Sequence, residues 1–216
     1  MEVVNTSTEM KFTLIRHAPT ASNMQGYFMG SDDISITLVG EQESLDLSYK
    51  FQEIEISKVY TSPMKRAIQT AKRVFPELGL VIDERLRERS LGEWEKKSKG
   101  LMKKEMPSAF LASGKLDPFF NPPGAEDIGQ MVKRINSFLE IEIWSSLCSE
   151  SCSSHVAVVS HSGVIRTLRF LLEEGEIYKI FGENDSHLSP RTYNLSSDSK
   201  KYAKMKAAKF LHCTFE

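Results

Sequence analysis

The sequence predicts a three-layer α/β/α fold around a mostly parallel central sheet. Three observations predict it. Short apolar runs alternate with helix-like segments along most of the chain, which places helices on both faces of a sheet. Val156 to Val159 is continuously apolar, as in a strand buried on both sides. Ile128, Met131, Val132, Ile135, Phe138 and Leu139 recur at helical spacing. A length of 216 residues suits one α/β domain, so residues 1–216 are read as a single domain with a frayed, disordered stretch at 1–10.

The elements follow in order. Phe12 to Ile15 reads as a first strand that ends at Arg16-His17. Ala18 to Asp33 reads as a glycine-containing loop. Thr37 can N-cap a helix reaching Phe51, with Leu38, Leu45 and Phe51 expected to face inward. Ser57 to Thr61 is a short strand. Ser62-Pro63 is expected to open the next helix, Ser62 as N-cap and Pro63 at the first helical position, followed by Met64, Ala67, Ile68, Ala71, Val74 and Phe75 at helical spacing. Leu80 to Asp83 is another strand. Leu101 to Asn121 reads as a short helix and a loop, and Pro122-Pro123-Gly124 as a turn. After the long amphipathic helix and the Val156 strand, His161-Ser162-Gly163 leads into a helix from Val164 to about Glu174. A final strand is expected within Asn184 to Glu216, at no assigned position.

Composition excludes several classes. A net charge of -1 argues against general nucleic-acid binding, which needs a basic excess. No apolar run approaches the ~20 residues that span a bilayer, and the N-terminus lacks signal-peptide features, so neither membrane insertion nor export is expected. The 3 cysteines fit a reducing, cytoplasmic setting. Cys148, Cys152 and His155 have a loosely zinc-like spacing, but no fourth ligand is evident, and no metal or cofactor is expected. Lys200, Lys201, Lys204, Lys206 and Lys209 read as a solvated face.

Four stretches carry chemistry. In Arg16-His17-Ala18-Pro19-Thr20-Ala21-Ser22-Asn23, a guanidinium able to fork onto phosphate oxygens stands beside an imidazole able to attack phosphorus. Arg66 sits in a first helical turn, where a cation runs against the helix dipole unless an anion joins it. His161 ends an apolar strand, and the small residues Ser162 and Gly163 let backbone amides approach an anion. A carboxyl beside bound phosphate is biased toward its protonated form and could protonate a leaving oxygen; Glu84, Glu88, Glu93 and Glu95 compete for that role. Each stretch alone also has a plain reading: a surface Arg-His pair, a solvated Arg, a core histidine, a charged loop. Ligands of parallel sheets sit at the carboxyl ends of strands, and both histidines fall there.

Together these stretches resemble the histidine phosphatase superfamily, the phosphoglycerate mutase-like family, over residues 11–181. Arg16, His17, Thr20 and Asn23 look like its Arg-His-Gly-x-Thr-x-x-Asn signature. The Ser62 to Ala71 segment is similar to its second phosphate motif, with Arg66 as the phosphate arginine. Leu86-Arg87-Glu88 with Gly92-Glu93-Trp94-Glu95 looks like its acid loop, which selects Glu88. Pro123-Gly124-Ala125-Glu126 and His161 complete the order. Ala18, Ser90 and Lys96 depart from it, and residues 183–216 match it poorly.

The resemblance implies a phosphoglycerate mutase-like fold and a metal-independent phosphatase acting on a small phosphorylated metabolite. His17 would form a phosphohistidine, with Glu88 as acid and His161 assisting, and with Arg16, Arg66, Thr20, Asn23 and Ser162 holding substrate. Two alternatives stand beside it. Phosphoglycerate mutases of the family carry a longer segment with paired arginines before the Pro-Gly element, whereas Glu95 to Pro122 is short and has none. A non-catalytic phosphate-binding module would be expected to have lost one of these residues.

Overall fold

A computed structural model describes residues 9–147 and 154–214. In chain order these form β1 (Met10–Arg16), α1 (Ala21–Gln25), α2 (Leu38–Phe51), β2 (Lys58–Thr61), α3 (Lys65–Val74), β3 (Leu80–Ile82), α4 (Lys99–Glu105), α5 (Ile128–Phe138), α6 (Trp144–Leu147), β4 (His155–Ser160), α7 (Ser162–Leu172), α8 (Ile177–Gly182), β5 (Arg191–Leu195) and α9 (Ser197–Thr214). Short 3-10 turns lie between β3 and α5, and a π-helical stretch, Leu139–Ile143, joins α5 to α6.

The five strands run in the order β3-β2-β4-β1-β5. The β2–β3, β2–β4 and β1–β4 pairs are parallel, and β5 alone pairs antiparallel, against β1. Strand alternation sends Phe12, Leu14, Tyr60, Val156 and Val158 into one core beneath α5, α7 and α9. It sends Ile15, Val59, Ala157 and Val159 into a second core with α2 and α3. The expected three-layer architecture is therefore present. Because α2 follows β1 on one face and α7 follows β4 on the other, a crevice opens beyond the neighbouring ends of β1 and β4.

Several elements differ from the sequence expectation. β1 starts at Met10, which is buried, so Met10 departs from the fraying expected over 1–10; residues 1–8 lie outside the described residues. The Ala18 to Asp33 loop contains α1, closed by a reciprocal Thr20–Asn23 capping box and by Gly26 in the left-handed region. Thr37 caps α2 as expected, but Leu38 is 85% exposed and Leu45 is exposed. The buried stripe is Gly40, Ser44, Leu47, Ser48 and Phe51, because small residues let α2 lie close against its neighbours. Met64, not Ser62, occupies the N-cap of α3. The Ser62 hydroxyl is engaged elsewhere, with His161.

The C-terminal region resolves into β5 and α9. Lys206 leaves the expected solvated face: its ammonium lies 4.6 Å from the Phe170 ring centre and donates to the Glu173 carbonyl. Cys148 and Cys152 lie outside the described residues; His155 opens β4 and hydrogen-bonds Thr13 Oγ1 at 2.7 Å.

Candidate active site

Register brings the two histidines together. Arg16 on β1 faces Ser160 on β4, so His17 and His161, one residue further, emerge side by side. The His17 amide donates to the Ser160 carbonyl at 2.8 Å, and the two rings stand 5.2 Å apart. Thr61 on β2 faces Val159, which brings Ser62 alongside, 2.7 Å from His161 Nε2.

His17 is 1% exposed. Its Nδ1 lies 2.7 Å from the Ala18 carbonyl, which only accepts, so Nδ1 carries the proton and donates. The lone pair of the neutral ring is then on Nε2. Burial, followed by the charges of Arg66 and Arg16, holds His17 well below the usual histidine pKa. His161 is held down in the same way, by burial and then by Arg66 and His17. Both imidazoles are neutral at neutral pH.

Arg66, in the first turn of α3, is fully buried. Its Nε donates to His161 Nδ1 at 3.2 Å, which leaves His161 Nε2 to donate to Ser62. Nη1 and Nη2 donate to the carbonyls of Asp32 and Gly30. A guanidinium has five N–H groups, so two remain for an anion. Arg16 donates from Nη1 to the Asp185 carbonyl at 2.6 Å, while its Nε is buried with no partner among the described residues. Burial lowers Arg16 to about 10. An anion here would relieve both the orphaned donor and the desolvated charge.

A cavity of about 320 Å³ opens in front of these groups. Arg16, Asn23, Glu88 and Ser162 line it. Arg16 and Ser162 are the chain neighbours of the histidines; His17, His161 and Arg66 are not themselves among the lining residues. Thr20 does not line it; its hydroxyl donates to Asn23 Oδ1 at 2.9 Å and positions that amide. Glu88 Oε2 accepts the Gly163 amide at 3.2 Å, and Oε1 accepts the Arg89 amide at 2.9 Å.

The competing carboxylates separate by surroundings. Glu84 pairs with Arg87 in solvent, and Glu93 is exposed. Glu95 is a clamp. Burial alone would raise its pKa, but hydrogen bonds from Ser31, Leu91 and Ser90 outweigh that and hold it low. It ties residue 31 to the loop that carries Glu88. Only Glu88 of the four lines the cavity.

The departures from the family pattern find local reasons. Ala18 is outside the left-handed region, so its Cβ brings no backbone strain there. Its amide donates to Thr70 Oγ1 at 2.9 Å. Lys96 has φ 65°, a conformation that suits glycine, and an L side chain there costs about 1–2 kcal/mol. Ser90 bonds Glu95 and accepts from the Gly92 amide. Gly92 has φ 51° and its absent Cβ would meet the Pro123 carbonyl at 2.1 Å, so the Pro-Gly turn packs directly on the acid loop.

Sequence reasoning missed two residues. Arg89 is buried and donates to the carbonyls of Glu126, Pro118 and Phe120 and to Asn121 Oδ1, tying the acid loop to 118–126. Its place directly after Glu88 was the available signal. His187 stands 5.4 Å from His17, ring to ring, and lies 3.1 Å from Asn23 Oδ1, to which its Nε2–H donates. Burial, then Arg16 and Lys99, lowers it to about 3. Nothing in the irregular stretch after Gly182 announced it.

The description of the histidine phosphatase superfamily (branch 1) matches residues 12–189. The protein named "Putative phosphoserine phosphatase 2" of Hydrogenobacter thermophilus is 34% identical over 165 residues, covering 74% of this chain and 76% of that protein. A 2,3-bisphosphoglycerate-dependent phosphoglycerate mutase of Cytophaga hutchinsonii is 25% identical over 193 residues, covering 85% and 87%. A phosphoserine phosphatase variant of Entamoeba histolytica, solved with phosphoserine, shares the fold with a TM-score of 0.70 at 22% identity, over 87% of this chain and 95% of that one. The chain belongs to the histidine phosphatase superfamily, branch 1.

Proposed function

We propose that this protein is a metal-independent phosphomonoesterase acting on a small phosphorylated metabolite through a phosphohistidine on His17. The observation that carries it is the tautomer of His17. The bond from Nδ1 to the Ala18 carbonyl presents the Nε2 lone pair beside Arg16 and Arg66.

In the first step His17 Nε2 attacks phosphorus and the P–O bond to the leaving alcohol breaks. Protonated Glu88 gives its proton to that oxygen, and phosphohistidine remains. In the second step water attacks phosphorus, Glu88 takes the water proton, and the P–N bond breaks. Inorganic phosphate leaves and His17 is neutral again. Arg16, Arg66 and His161 hold the equatorial oxygens, where fixed charge is worth most. Asn23 and Ser162 orient the ester, and Thr20 holds Asn23 in place. The cations that offset phosphate charge are side chains, so the reaction calls for no metal.

The relative at 34% identity carries a phosphatase name, which supports hydrolysis as the reaction. Among the described residues no helix is long and apolar enough to cross a membrane. The odd, sparse cysteine set supports a cytoplasmic place. The direct test is turnover of p-nitrophenyl phosphate with release of inorganic phosphate, abolished by His17→Ala. Phosphate binding without turnover would favour a binding module instead.

A further inference from the structure

The loop between α8 and β5 holds the candidate site at three points. The Asp185 carbonyl accepts from Arg16 Nη1 at 2.6 Å, the Leu188 amide donates to the Arg16 carbonyl at 3.0 Å, and His187 Nε2 lies 3.1 Å from Asn23 Oδ1. The His187 ring also stands edge-on to that of His17, with 5.4 Å between centres. The mechanism proposed above uses Arg16, Asn23 and His17 and leaves His187 without a task.

The loop is anchored on both sides of His187. The buried Asp185 carboxylate is gripped by Arg166 Nε at 2.7 Å and by Arg169 Nη1 at 3.0 Å, and Arg169 is itself buried. On the other side, Leu188 has φ 51°, in the left-handed region, where an L side chain is disfavoured. Among the described residues only Lys96 shares that region outside glycine. Such a conformation persists where the surroundings over-determine it. Here it directly follows the histidine that the loop delivers.

The bonds to Asn23 decide which way its amide faces. The Thr20 backbone amide, which can only donate, meets the Asn23 side chain at 3.2 Å, so the atom there is the oxygen. The Thr20 hydroxyl adds a second donor at 2.9 Å. His187 therefore faces an atom that only accepts, and its Nε2 carries the proton. Burial, then Arg16 and Lys99, keeps that ring neutral down to about 3, so it donates without a charge. Both Thr20 bonds belong to the capping box of α1, a helix of 5 residues with no buried side chain, and they move with it. Among the described residues, the bond from His187 alone ties the Asn23 side chain to a distant part of the chain. Three donors occupy Oδ1, and the two N–H groups of Nδ2 have no partner among the described residues. Asn23 lines the cavity, so those two groups are left for a ligand.

We propose that His187 is a positioning residue of the phosphate site, fixing the Asn23 amide with both its N–H groups turned toward the bound phosphate. It also joins α1 to the loop that holds Arg16. It acts through Asn23 and takes no part in proton transfer. The assignment rests on the phosphatase reading above.

The test is a double-mutant cycle read with p-nitrophenyl phosphate, with inorganic phosphate as competitive inhibitor. His187→Phe keeps a ring and removes the donor. It should lower kcat/KM and raise the inhibition constant of phosphate by the same factor, roughly three- to tenfold, as loss of one hydrogen bond predicts. His187→Gln restores an N–H and should stay within about twofold of wild type. In the Asn23→Ala background, His187→Phe should cost almost nothing further. The unaltered protein gives an independent reading: imidazole ¹⁵N spectra should show His187 protonated at Nε2. A His187→Phe loss that is absent, that Gln does not rescue, or that persists in full with Asn23→Ala overturns the assignment and leaves the phosphatase reading standing. An Nδ1–H tautomer at His187 does the same. No turnover of p-nitrophenyl phosphate by the unaltered protein removes the phosphatase reading, and the assignment with it.

Discussion

Glu88 and Gly163 are in direct contact across the site: the Gly163 amide donates to Glu88 Oε2 at 3.2 Å, and a Cβ on Gly163 would stand 2.4 Å from Oε1. The proposed acid is thus aimed by the first turn of α7, the helix that His161 caps. Absence of a side chain at 163 is a condition of that placement.

Gly163→Ala should displace the Glu88 carboxyl and mimic loss of the acid. General acid catalysis is worth roughly 10²–10⁴-fold. Glu88→Gln should therefore lower kcat by that order on alkyl phosphates and by much less on p-nitrophenyl phosphate, whose leaving group needs little protonation. Gly163→Ala should show the same leaving-group dependence with a smaller loss. Glu84→Gln and Glu93→Gln should leave both rates near wild type. Equal losses on alkyl and aryl substrates for Glu88→Gln would remove Glu88 from the acid role.

The parts of this site that could be read from sequence are those tied to buried parallel strands. Val156 to Val159 announces β4 by continuous apolarity, Phe12, Leu14 and Ile15 mark β1 around the polar Thr13, and the residue after each strand is a site histidine. The C-terminal elements gave no such signal. β5 is an edge strand, mostly exposed, and shows no regular alternation. α9 contributes two alanines, Ala203 and Ala207, to the core, too small to mark a stripe. Leu38 and Leu45 misled because α2 packs through Gly40 and Ser44, a closeness that hydrophobicity does not record. His187 reaches the site from the irregular loop before β5, and only tertiary placement reveals it.

Stability should fall on acidification below neutrality. In an unfolded chain imidazoles bind protons near pH 6.5. In the folded protein His187 does so only near 3, and His17, His155 and His161 are also depressed. The unfolded state therefore binds more protons in this window, so stability is present above 6.5 and is lost as pH falls toward 3. The denaturation midpoint in urea should drop between pH 7 and pH 5, and less so in His187→Asn. A midpoint constant over that range would contradict neutral, buried imidazoles.

Chelation should not affect the reaction. In the proposed mechanism Arg16 and Arg66 provide the positive charge at the phosphate, so dialysis against EDTA should leave kcat/KM within about twofold of the untreated enzyme. Vanadate should inhibit competitively as a mimic of the phosphoryl transition state. Activity lost in EDTA and restored by a divalent ion would point to another mechanism.

The most direct measurement is the site of covalent phosphate. Rapid acid-free quenching of enzyme mixed with ³²P-labelled substrate, followed by peptide mapping, should place the label on His17. The label should be stable in base and lost in acid, as phosphoramidates are. His17→Ala should abolish both label and turnover. Label on a serine or cysteine, or turnover that survives His17→Ala, would contradict the account.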